Sequence, residues 1–170
     1  MTELGPFTYR IVEDETVAAA RIAFRKQMRR PLTRWLLALI VLVEIALLLF
    51  DIFDDGMLNL ASTAALLFAL PFVYFVLLWL IPRQGRRQYR QSAALRDEYT
   101  LTFDDAAMTV AGQRGTMRIP FDDFRELAVS DDLILLYQTE MFYSIFPRRA
   151  LGDAADMLIA RLIAAGVRRI

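Results

Sequence analysis

Residues 35–53 read WLLALIVLVEIALLLFDIF and residues 60–81 read LASTAALLFALPFVYFVLLWLI, with DDGMLN between them and Pro82 after them. Each apolar run holds roughly twenty residues, so each predicts a helix about 30 Å long, the thickness of bilayer hydrocarbon. Backbone N–H and C=O groups must be satisfied within a segment there, which favours helix over strand. Residues 35–82 therefore predict a two-helix transmembrane hairpin turning at Asp54-Asp55-Gly56.

The charges outside this stretch agree. The chain carries 20 Lys and Arg against 20 Asp and Glu, yet no Lys or Arg lies between Trp35 and Pro82. Arg21, Arg25, Lys26, Arg29, Arg30 and Arg34 precede it; Arg83, Arg86, Arg87, Arg90 and Arg96 follow. Positive residues on both flanks put both flanks, and with them both termini, on the cytoplasmic side. Topology alone accounts for such a bias. The innermost collar, Arg29, Arg30, Arg34, Arg83, Arg86 and Arg87, is also expected to face anionic lipid headgroups. The first run starts too deep in the chain, and is too long, for a cleaved signal peptide.

With no Cys and no His, the chain lacks thiol nucleophiles, imidazole bases, disulfides and the usual zinc ligands. No enzyme, cofactor or metal site is expected. The acid pairs Asp54-Asp55, Asp104-Asp105, Asp122-Asp123 and Asp131-Asp132 read as turns, because Asp bonds its own nearby backbone. Adjacent carboxyls on an extended chain also point to opposite sides, which suits no acid–base pair.

Glu44 lies about 13 Å into the first span, near the midplane. A carboxyl there normally faces protein. Depth matching sets it opposite Phe68–Phe72, where Pro71 frees a carbonyl. A neutral carboxyl joining the hairpin or a homo-oligomer is the plainer reading; an ion or proton relay is the sharper one.

The rest of the chain reads as a folded domain. Residues 1–34 hold an alternating strand, Phe7–Ile11, and a helix expected to begin with Asp14 as N-cap. Its apolar stripe is Val17, Ala20, Phe24 and Met28, which suits packing on the domain's core or, alternatively, lying on the membrane surface. Residues 83–170 show short alternating strands: Tyr99–Phe103, Met108–Val110, Met117–Ile119, Arg125–Val129, Leu133–Gln138 and Met141–Phe146, separated by turn residues. A helix from Leu151 or Asp153 to about Ala165 follows, with Leu158, Ile159, Leu162 and Ile163 as its apolar face. A lone strand needs partners. The predicted fold class is thus an α+β membrane protein, a hairpin inserted into a pleckstrin-homology-like curved antiparallel half barrel with a C-terminal capping helix.

Arg148-Arg149, with Arg118 or Arg125, is the best ligand-binding candidate, since guanidinium forks match phosphate or carboxylate. A solvated basic corner is the plainer reading. Nucleic acid is not expected, because the basic residues hug the apolar stretch.

Ile119-Pro120-Phe121-Asp122-Asp123-Phe124, then Leu135-Leu136-Tyr137, then Tyr143-Ser144-Ile145-Phe146-Pro147-Arg148-Arg149-Ala150 resemble the YcxB-like family of bacterial membrane proteins, with Phe121 where relatives often have Trp. The resemblance implies a two-span, multi-pass protein of the bacterial inner membrane with a cytoplasmic C-terminal domain. It implies no catalytic residues. The expected function is a membrane-tethered binding or regulatory module engaging a lipid headgroup or another protein. The alternative is a small oligomeric transport or channel subunit with Glu44 in its lumen.

Overall fold

A computed structural model describes residues 3–55 and 60–170. Strand β1 (Leu4–Arg10) is followed by α1 (Glu13–Arg29), α2 (Pro31–Asp55) and α3 (Leu60–Gln91). Strands β2 (Glu98–Phe103), β3 (Ala107–Gly112), β4 (Gly115–Pro120), β5 (Glu126–Val129), β6 (Leu133–Tyr137) and β7 (Tyr143–Pro147) come next. Helices α4 (Arg148–Leu151) and α5 (Ala154–Ala164) and a two-residue strand, β8 (Arg168–Arg169), complete the described fold.

The strands form two four-stranded sheets, β1-β2-β3-β4 and β7-β6-β5-β8. The orphan N-terminal strand finds its partner across three helices: β1 pairs antiparallel with β2, setting Phe7 opposite Leu101 and Tyr9 opposite Tyr99. The chain passes from one sheet to the other at Pro120, which has no N–H to donate, and at the 3₁₀ turn Phe121–Asp123. Strand β8 is not foreshadowed by any alternating run in the sequence. It pairs parallel with β5, Glu126 opposite Arg168.

All five residues of β6 are buried, which explains its unbroken apolar run: a strand covered on both faces has no polar alternation. Both α1 and the neighbouring strands contact it. Leu101, Phe103, Met108, Phe121, Leu127 and Leu158 join it in one core. The face α5 turns inward is Ala154, Ala155, Leu158, Ile159 and Leu162; Ile163 points outward, so the expected face is one position too wide.

Helix α1 packs on the domain, but through Thr16, Val17 and Ala19, with Phe24 and Met28 only half-buried. Its start is also displaced. The helix begins at Glu13, and the Glu15 carboxylate, not Asp14, accepts the Val12 N–H at 2.9 Å. A carboxylate in the first turn suits the positive end of the helix.

The two apolar helices run longer than their apolar cores. Pro31 opens α2 at a first-turn position that needs no N–H donor. Helix α3 continues through Pro71 and Pro82 to Gln91. Its last turns dock on α1: a Cβ on Gly85 would lie 3.1 Å from the Val17 Cα, so any larger residue would crowd this approach. Ile81 is buried beside it. In contrast, among the described residues α2 and α3 touch each other little, and apolar side chains such as Leu42, Phe50, Phe68 and Phe72 are exposed. Asp54 and Asp55 are the last turn of α2, while Gly56 lies outside the described residues.

Candidate functional site

Arg149, Arg148 and Arg118 serve the fold, each with a different carboxylate. The Arg149 guanidinium donates to Glu15 at 2.8 Å and to the Arg10 carbonyl at 2.8 Å. It thereby ties the end of β1, the start of α1 and α4 into one corner, and Glu15 holds it even more firmly charged. Arg148 donates to Asp156 at 2.8 Å. Arg118 donates to Asp104 at 2.6 Å. The structure does not bring these three to a shared ligand.

Asp104 shows what an acid pair does here. It accepts the N–H groups of Ala106 and Ala107, both at 2.8 Å. These bonds and the Arg118 guanidinium lower its pKa from 3.8 to about 2. Its neighbour Asp105 instead pairs with Arg161 of α5 at 3.1 Å. The two carboxyls diverge, as adjacent carboxyls on a turn should.

Arg125 sits elsewhere, with the collar. A groove of about 950 Å³ runs between the last turns of α1, the first residues of α2 and the β5–β8 pair. Arg25, Lys26, Arg29 and Arg30 line one wall; Arg125, Arg168 and Arg169 line the other. Its walls are joined by Glu126, which receives Lys26 at 2.5 Å and Arg168 in a shorter contact. Burial opposes ionisation of Glu126, but those two cations keep its pKa below the usual value. Lys26 also lies 3.3 Å from the centre of the Tyr137 ring. Burial, with Tyr143 and Glu126 nearby, pushes Tyr137 up to about 12. Arg30 donates to Glu140 at 2.9 Å and to its carbonyl at 3.1 Å.

Of the other collar residues, Arg86 and Arg90 flank Glu13 at 3.7 and 3.5 Å, and Arg83 lies 3.2 Å over the Trp79 ring. Arg29, Arg34 and Arg87 are exposed. Glu44 is half-exposed on α2. Sequence pattern does not mark Arg25, Lys26 or the β8 arginines as site residues. The one available signal is Val167, an isolated apolar residue between Gly166 and Arg168: it is buried and seats β8.

A second groove, about 650 Å³, opens between the two sheets. Tyr9, Tyr99, Val110, Ile119 and Phe146 line it, and Met117, Met141 and Phe142 stand exposed in its lining. Strands β4 and β7, the ends of their sheets, contribute Ile119 and Phe146.

Such an arrangement defines a class: an α+β domain of two sheets carrying, between its first and second strands, two helices long and apolar enough to cross a membrane. Residues 103–158 match the model of a family described as YcxB-like protein, so this part of the domain is similar to that family. The match begins at the last residue of β2 and ends inside α5, so it covers neither apolar helix. No curated protein and no solved structure matches the chain significantly.

Proposed function

We propose that the protein is an integral protein of the bacterial inner membrane in which α2 and α3 span the bilayer and a pleckstrin-homology-like domain binds a lipid headgroup or a partner protein at the cytoplasmic face. The observation that carries this reading is the junction. Helix α1 ends in Arg29 and Arg30 directly before α2, and α3 returns through Arg83–Arg90 to dock on α1 at Gly85. Basic residues thus gather where the apolar helices meet the domain, the position that both the positive-inside rule and anionic headgroups favour. Four strands, then three, then a C-terminal helix support the pleckstrin-homology-like reading. The role is binding or regulation, not catalysis.

Reporter fusions at either chain end, combined with alkaline extraction of membranes, test this proposal. Both ends should report cytoplasmic and the protein should stay in the membrane pellet. An end that reports outside, or release into the soluble fraction, overturns it.

One observation favours a second reading, an oligomeric transport or channel subunit. Among the described residues α2 and α3 touch each other little, which leaves faces open to further helices, and Glu44 would then lie among copies. Glu44→Gln should abolish a pH-dependent flux in reconstituted vesicles; an unchanged flux removes this reading.

A further inference from the structure

We propose that the groove between α1, the start of α2 and the β5–β8 pair binds the phosphate of an anionic phospholipid headgroup, with the lipid's chains lying along α2. The inference rests on the reading of α2 as a membrane span and adds to it the ligand class and the residues.

Charge accounting singles out the groove. Seven cations line it against the two acidic side chains Glu126 and Glu140. Both carboxylates are engaged, Glu126 by Lys26 and Arg168, and Glu140 by Arg30. Arg25, Arg29, Arg125 and Arg169 remain, all exposed and without a carboxylate partner among the described residues. Two come from α1 and two from the β5–β8 side, so they face the groove's volume from opposite walls. The Lys26–Glu126–Arg168 bridge holds these walls together without occupying the four free guanidiniums. Planar N–H forks from two sides suit the several oxygens of a phosphate better than a single carboxylate.

The groove is also amphiphilic. Ile22, Pro31 and Leu32 belong to its lining, and Leu32 opens onto the exposed apolar face of α2 with Trp35 and Leu36. A soluble phosphate would leave that side unused. A phospholipid places its phosphate among the arginines and its chains against α2. The level is appropriate too, because the groove opens where the apolar helix begins.

The test uses the full-length protein in a non-ionic detergent, titrated with phosphatidylglycerol, phosphatidylcholine or inorganic phosphate. Native mass spectrometry reads the retained lipid, and the thermal midpoint reads stabilisation. Wild-type protein should retain phosphatidylglycerol in preference to phosphatidylcholine. Replacing Arg25, Arg29, Arg125 and Arg169 with Gln should weaken that retention at least about tenfold, since each cation beside an anionic headgroup adds to the attraction. Arg21→Gln with Arg96→Gln, which removes the same kind of exposed charge outside both the groove and the innermost collar, should leave it unchanged.

Wild-type retention in the groove variant overturns the proposal, as does equal loss in both variants, which would mean diffuse attraction to exposed positive charge anywhere on the protein. Inorganic phosphate that competes as well as phosphatidylglycerol overturns the lipid assignment. If the fourfold variant melts early without lipid, Arg29→Gln and Arg169→Gln, one from each wall, take its place, and each should weaken retention. Alkaline extraction separates the two levels of failure. Release of wild-type protein from membranes defeats the spanning reading, whereas a groove variant that stays in the membrane and keeps its lipid defeats this inference alone.

Discussion

Leu135 and Leu42 are the same residue in two regions that treat it oppositely: Leu135 is 0% exposed in β6, and Leu42 is 63% exposed on α2. Phe103 and Phe53 repeat the contrast at 1% and 86%. In the domain, apolar side chains are hidden by other protein, and their burial stabilises the fold by roughly 1.5–3 kcal/mol each. On α2 and α3 leucine and phenylalanine are denser still, and side chains such as Trp35, Leu42, Phe50, Phe68 and Phe72 stand exposed, an apolar surface of the kind a water-soluble monomer rarely presents. The same residue types therefore meet opposite surroundings in the two regions. What differs is that the domain covers its own apolar side chains and the described part of α2 and α3 leaves them exposed.

The largest effect that sharpens this contrast comes from truncation. Leu135→Ala should cost the domain about 2–5 kcal/mol, the range for a fully buried leucine. Leu42→Ala should leave domain stability unchanged within about 0.5 kcal/mol. Chemical denaturation of the detergent-solubilised protein, followed by tyrosine fluorescence, measures both. Equal losses would break the comparison.

The junction between the regions comes next. Gly85→Leu places a side chain where Val17 already stands, 3.1 Å from the position of a Cβ. It should cost about 1–3 kcal/mol by overpacking, and limited proteolysis should then cut within α1 sooner than in wild type. Cleavage at the wild-type rate would show that α1 does not depend on its contact with α3.

A smaller loss is expected at the corner beneath the junction. Arg149→Ala removes the link from Glu15 to the Arg10 carbonyl and should cost about 1–2 kcal/mol, below the full worth of a charged hydrogen bond because the side chain is partly exposed. Arg148→Ala, which loses only the exposed contact with Asp156, should cost about 0.5 kcal/mol or less. Thermal midpoints of the two variants rank them.

The smallest effects follow pH and belong to the domain alone. Asp104 has a folded pKa near 2 against an ordinary 3.8. Its depressed value means its contribution is present above about pH 4 and is lost as pH falls towards 2. Asp104→Asn should flatten that part of the acid unfolding curve. Tyr137, raised from 10.0 to about 12, acts at the other end: its contribution is complete below pH 10 and lost as pH rises towards 12. Tyr137→Phe should reduce the alkaline loss, with circular dichroism as the readout.

Much of the fold is legible in the amino-acid sequence by itself, for a common physical reason: local patterns report local rules. The two apolar helices, the turns at Asp104-Asp105 and Asp131-Asp132, the alternating strands and the apolar run of β6 follow from hydrogen-bond geometry, side-chain periodicity and the need to bury grease. Even the need of β1 for a distant partner is implied, because an isolated strand is unstable. Tertiary structure alone decided which arginine meets which carboxylate. Arg149 lies 134 positions from Glu15 in sequence, and Arg30 lies 110 from Glu140. No periodicity encodes such distances. It also decided that Arg118 and Arg148 are spent on the fold, while Arg25, Arg29, Arg125 and Arg169 face one groove, since that required β8 to return beside β5. Charge in a sequence is an inventory; only the packed chain determines which charges are already neutralised and which are left for a ligand.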